Sequence, residues 1–313
     1  MKTNGVAQVV GLLVFSLLAG AFGIEVPLEA GEGTNAPVVL GSDGQALPFT
    51  SEQDLLDYLR TAQGLSFKTL SQGITKAEKI LLEQDGIAAH VVFHDVDSNE
   101  QRTKRLPNGN VVLYVKDSYR SQLAAYELSR MLGMENVPPT VERRFKSARG
   151  SAQLWIENAM TELDRVEKGL EPPDSLQWGR RYADMRVFDN LINNIDRNQG
   201  NLLVDPSWNL WMIDHTRSFG RDRTLPRPEL ISRCSRRLWK RIIELDEDEV
   251  DARLVPYLKR TELKSIFLRR EKLIALLEEQ IASKGEKWVI FDYGAPDPGV
   301  EVRQSSAISE SDQ

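Results

Sequence analysis

Three side chains with oxygen ligands stand at a spacing that could do chemistry. Asp196 and Asn201 lie in the stretch NNIDRNQGN (193–201), and Asp214 lies in MIDHT (212–216). Moving a phosphoryl group from a nucleotide asks little covalent work of a protein: a hydroxyl must be oriented and metal-bound phosphates must be held. One carboxylate should face the hydroxyl, and a second carboxylate with an amide oxygen should hold Mg²⁺, which prefers hard oxygen ligands and keeps some water. Asp196 suits the first role, and Asn201 and Asp214 suit the second. The alternative is a polar turn that only ends a helix, because an acid and an amide five positions apart are common on their own.

The neighbouring elements favour the chemical reading. LQWGRRYADMRVFDNLINNI (176–195) places Met185, Phe188, Leu191 and Ile192 at helical spacing and leads into the loop. NLLVD (201–205) and LWMID (210–214) flank PSWN as a hairpin, whose return would bring Asn201 and Asp214 together. Upstream, Ser51 and Asp54 predict a capped helix over EQDLLDYLRTA. KILLE and AAHVVFHDV flank QDG (84–86) as a second hairpin, and NVVLYVKD (110–117) reads as a third strand. DSYRSQLAAYELSRMLGM (117–134) carries a buried helical stripe that Gly133 should stop. VPPTVERRF is extended by its prolines, and AQLWIEN (152–158) reads as a short apolar strand. From Arg227 onward LISRCSRRLWKRIIEL, DEVDARLVPYL and TELKSIFLRREKLIALLEEQIAS are helical in pattern. The order is α+β: a small strand-rich part, then a larger helical part.

VFDNLINNIDRNQGNLL, MIDHTRSFGR, the 117–144 segment and RCSRRLW together resemble the secretory-pathway kinase-like family, the Golgi casein kinase and four-jointed group. They resemble HipA and the phosphatidylinositol 4-kinases more distantly. The resemblance spans about residues 60–290 and implies a two-lobed, protein-kinase-like fold, an N-lobe over 50–158 and a C-lobe over 159–297. It implies ATP between the lobes with Mg²⁺ or Mn²⁺, Asp196 as the catalytic-loop acid, and Asn201 and Asp214 as metal ligands. It also implies a connection near Ile156, Glu157 and Ala159 whose backbone meets adenine. The loop over the phosphates would lie in SQGITKAEK, with Gly73 and Lys76, although this matches neither a kinase glycine loop nor a Walker loop.

The sequence departs from the family at the phosphate clamp. Alignment puts His94 where such kinases carry a strand lysine and Gln122 where they carry the helix glutamate. Histidine is shorter and mostly neutral at pH 7, and Gln is no counter-ion. If the alignment is displaced, Lys116 or Glu127 would be the substitutes, although Glu127 points to another helix face than Gln122. Three functions compete: a kinase-like phosphotransferase acting on a protein or glycan hydroxyl, a pseudokinase that binds nucleotide or a partner without turnover, and transfer of AMP on the same fold.

The rest of the chain bounds the setting. It has 313 residues, 41% hydrophobic, with a net charge of −6, and no basic excess points to nucleic acid. Lys2 precedes VVGLLVFSLLAGAFG, which reads as a signal peptide over 1–24 or as a membrane anchor over about 5–24. Export or secretion is the expected location in both cases. Residues 25–49 are linker-like, and 298–313 read as a disordered tail. The single Cys234 excludes an internal disulfide, and three scattered histidines argue no zinc site.

Overall fold

The computed structural model describes residues 37–70, 77–98, 104–105, 109, 111–112 and 116–298. The signal or anchor segment, the first part of the linker-like stretch, Gly73, Lys76 and the tail from 299 lie outside the described residues.

Helix α1 (Glu52–Thr61) starts where Ser51 accepts a hydrogen bond from the Asp54 amide, and it buries Leu55, Leu56, Tyr58 and Leu59. Three strands follow: β1 (Gln63–Thr69), β2 (Glu78–Gln84) and β3 (Ile87–His94). The β2–β3 turn needs two residues with positive φ, and Asp85 (+53°) and Gly86 (+78°) supply them. The Ala148–Leu154 and Thr140–Phe145 strands complete a five-stranded antiparallel sheet in the order β1, β2, β3, 148–154, 140–145. Alternation sends Ile80, Leu82, Ala89, Val91 and Phe93 into the core, whereas Lys79, Leu81, His90, Val92 and His94 share the opposite, partly covered face.

Helix α2 (Tyr119–Met131) packs on this sheet through Ala124, Ala125 and Leu128, all fully buried, and Gly133 ends it at φ +68°. After α3 (Glu162–Glu167), the larger lobe is built on α4 (Ser175–Leu191), the antiparallel hairpin Leu202–Val204 and Leu210–Met212, then α5 (Arg236–Glu244), α6 (Glu247–Leu254) and α7 (Arg260–Lys284). Arg269 on α7 is fully buried and donates to the carbonyls of Leu191, Gly220 and Asp222. It therefore ties the end of α4 to the loop after Asp214. Burial without a carboxylate at contact pushes its guanidinium down to about 9.

Three local expectations are corrected. Among the described residues, those of the 110–117 segment do not join the main sheet: Val111–Val112 pairs with Lys104–Arg105, and Asp117–Ser118 pairs with Asp97–Ser98. Lys116 and Ser118 are instead engaged by the larger lobe, Lys116 with Glu262 at 3.2 Å and the Ser118 amide with the Thr216 carbonyl. The AQLWIEN strand runs earlier, ending at Leu154, and Asn158 turns the chain at φ +59°. The helix expected from Leu230 begins only at Arg236, because Cys234–Ser235 is extended and pairs in parallel with Ile290–Phe291. At the end of the linker-like stretch, Leu40 bridges to Ala46 and the Ser42 amide donates to the Ala88 carbonyl at 2.8 Å.

Candidate active site

The loop after α4 is held by a buried arginine. Arg197 donates from Nε and Nη2 to both carboxylate oxygens of Asp189, at 2.9 and 3.1 Å. Its Nη1 reaches the carbonyls of Asn201 and Ile213, and its Nη2 lies 2.9 Å from His215 Nε2. One guanidinium thus fixes α4, the loop and the strand entering Asp214. Asn194 adds to this by donating to Asp189 Oδ1 and accepting from the Asp196 amide. His215 is fully buried, and burial first, then the Arg197 charge, holds it well below the ordinary histidine range. It is a neutral packing and hydrogen-bonding residue.

This frame brings three of the expected residues together. The Asn201 amide group donates from Nδ2 to the Asp196 carbonyl at 3.2 Å, which leaves its Oδ1 as the ligand-type atom. The Ile213 amide donates to the Asn201 carbonyl, and Leu202 pairs with Met212, so Asn201 and Asp214 are neighbours across the hairpin. Asp214 sits at φ +54°, a conformation that costs a non-glycine residue on the order of 1 kcal/mol or more. Its Oδ1 accepts from the Thr216 hydroxyl at 2.9 Å.

His94, at the end of β3, lies close enough to Asp214 and Asp117 for their charges to act on its imidazole. Burial nevertheless dominates and holds it below the ordinary range, so it is neutral at pH 7. Its carbonyl packs so tightly on Gly150 that a Cβ there would clash with it. Gln122 on α2 is buried and its Oε1 has no partner among the described residues. Lys116 pairs with Glu262 and Glu127 with Arg253, so neither alternative is free to replace the clamp.

At the connection, Ile156 is buried and Ala159 partly exposed, and the Glu157 side chain is committed to the sheet. Its Oε1 lies 2.5 Å from His90 Nδ1, and its Oε2 lies 3.9 Å from Lys79 Nζ. Lys79 also stacks over Trp155, 4.0 Å from the ring centroid, and burial lowers its ammonium. Reading the sequence alone missed this cluster, and it missed Arg217 and Asp117. Arg217 Nη1 donates to Asp196 Oδ2 at 2.9 Å, and its Nη2 reaches Asp117 Oδ2 at 3.4 Å. The only sequence signal for Arg217 was its position three residues after Asp214.

The donor set fits a divalent cation with a nucleotide. Among the described residues no three acidic, histidine or cysteine side chains converge as a closed metal cage. One carboxylate and one amide oxygen are what an Mg²⁺ or Mn²⁺ ion shared with phosphates requires.

Comparison with protein-family models and with curated proteins finds no match. Solved structures do match. Hydra Fam20, solved with sugar, superposes with a TM-score of 0.58 at 16% identity, covering 80% of this chain and 95% of the other. Golgi casein kinase gives a TM-score of 0.56 at 14% identity over 78% of this chain and 79% of its own. Its Mn/ADP-bound structure gives the same score over 79% and 80%. The chain has the two-lobed, kinase-like α+β fold that Fam20 and Golgi casein kinase share.

Proposed function

We propose that the chain is an exported ATP-dependent phosphotransferase that moves the γ-phosphoryl group to a protein or glycan hydroxyl. One observation carries the reading: Arg197 builds a single rigid frame in which Asp196, Asn201 and the positive-φ Asp214 adjoin. The fold of Golgi casein kinase, solved with Mn/ADP, supports it. In this reading Asp196 orients the acceptor hydroxyl and takes its proton. Asn201 Oδ1 and Asp214 would hold Mg²⁺ or Mn²⁺, which would neutralise charge on the phosphates. Export rests on the apolar segment before residue 25.

Calorimetric titration of ATP into the purified chain, with Mg²⁺, with Mn²⁺ and with EDTA, tests this reading. Metal-dependent binding that Asp214→Ala reduces at least tenfold is expected; equal binding with EDTA sinks the metal assignment. The pseudokinase reading is favoured by one observation, the neutral His94 and uncharged Gln122 where a clamp is expected. Asp196→Asn separates the two: lost phosphoryl transfer with retained binding supports an enzyme. No transfer by the unaltered chain to itself or to any offered protein or glycan supports a scaffold. A product heavier by AMP, rather than by phosphate, would move the reaction to nucleotidyl transfer.

A further inference from the structure

The missing clamp leaves a phosphate site without its usual cation. His94 is neutral and Gln122 uncharged, while Lys79 is turned to Trp155 and Glu157 and Lys116 to Glu262. A cation approaches from the opposite lobe at Asp117, whose charge also acts on His94. Arg217 follows Asp214 by three residues, is about four-fifths buried, and bonds directly to the catalytic-loop acid Asp196. Its other Nη spans to Asp117, just before α2, so the guanidinium bridges the two lobes across the cleft. Its Nε makes no bond to protein among the described residues, so donor capacity is left for a ligand.

We infer that Arg217 is the γ-phosphate cation of this site. In the nucleotide-free chain it neutralises Asp196 and Asp117; when a nucleoside triphosphate enters, it passes to the γ-phosphoryl oxygens. The inference rests on the phosphotransferase reading. Its geometric basis is short: the acid that receives the attacking hydroxyl must lie beside the γ-phosphorus, so a donor 2.9 Å from that acid borders the same oxygens. A planar fork of donors matches a phosphoryl group at least as well as two separate carboxylates.

The handover also suits the chemistry. The acceptor oxygen bonds to the γ-phosphorus, the bond to the bridging oxygen breaks, and its electron pair leaves on the nucleoside diphosphate. The hydroxyl proton goes to the Asp196 carboxylate. While Arg217 donates to Asp196 Oδ2, that oxygen is held by the guanidinium and is not open to the acceptor hydroxyl. Transferring the guanidinium to the γ-phosphoryl group frees the base and places positive charge where transition-state charge resides.

The test compares ATP with ADP in the same full chain with Mg²⁺ or Mn²⁺, by calorimetry, for the unaltered protein, Arg217→Met and Arg217→Lys. Loss of the γ-phosphate contact should cut the ATP-to-ADP affinity ratio about tenfold in Arg217→Met, with ADP affinity held within roughly threefold. Arg217→Lys should keep part of the ratio. A merely structural Arg217 would weaken ATP and ADP together, and that result, or an unchanged ratio, overturns the inference and leaves the nucleotide site intact. If the unaltered chain binds neither nucleotide, the phosphotransferase reading itself falls and takes this inference with it.

Discussion

Arg197 follows Asp196 in sequence but points away from the chemistry, spending its donors on Asp189, two carbonyls and His215. Its carboxylate partner is 6% exposed, so neither charge has water to fall back on. Removing one member of such a pair leaves the other buried and uncompensated, a cost of about 3–5 kcal/mol. Arg197→Met should therefore lower the urea midpoint by that amount of stability. Asp189→Asn in the same chain should recover part of it, since a neutral amide can still accept the Asn194 hydrogen bond. If Arg197→Met melts like the unaltered chain, the frame is not what holds the loop.

Helix α4 and the 201–214 hairpin were legible because their signals are local: apolar residues at helical spacing, then two apolar runs about a PSWN turn. The same holds for α1 with its Ser51 cap and for the Asp85–Gly86 turn. Strand β1 was not legible. It lies at the sheet edge with a bulge between Gly64 and Ser66 and Leu65 half exposed, so no alternating pattern marks it. The extended run at Cys234–Ser235 was hidden inside a helical pattern, because its partner is Ile290–Phe291, far along the chain. That junction carries a pH signature. Asp184 on α4 accepts from the Ser235 amide at 2.8 Å and the Tyr293 hydroxyl at 3.0 Å, and burial raises its carboxyl to about 6. A group with a raised folded pKa binds more protons folded than unfolded between about 4 and 6. Its contribution is therefore full below the unfolded value and is lost as pH rises through 6. The shift corresponds to on the order of 3 kcal/mol. Asp184→Asn should flatten this part of the stability profile between pH 4 and 7, measured by urea unfolding at each pH. An unchanged profile would place the carboxylate in a wetter setting than the structure gives it.

Arg217 links Asp196 of the larger lobe to Asp117 of the smaller, so the geometry around Asp196 depends on how firmly the lobes are joined. Several contacts tie the segment before α2, and α2 itself, to the larger lobe. The Ser118 amide donates to the Thr216 carbonyl, the Ser121 hydroxyl to the Ser218 carbonyl, and Arg120 to the Pro256 carbonyl. The most enclosed tie is Lys116 with Glu262 on α7, whose side chains are 6% and 2% exposed. Burial lowers the Lys116 ammonium, and the Glu262 charge opposes that fall. Glu262 is also the residue that caps the Lys259 amide at the start of α7, so its placement fixes a helix start as well as a lobe contact. Lys116→Met strands a buried carboxylate and should cost about 3–5 kcal/mol. Lys116→Met with Glu262→Gln should recover much of that, because the capping acceptor remains and no charge is left buried. The same pair of variants separates stability from lobe registration. If the double variant regains its urea midpoint but still binds Mg²⁺–ATP several-fold more weakly, the ion pair sets the relation of Asp117 to Asp214. If binding recovers together with stability, the main-chain ties at Ser118 and Ser121 are sufficient to hold the cleft.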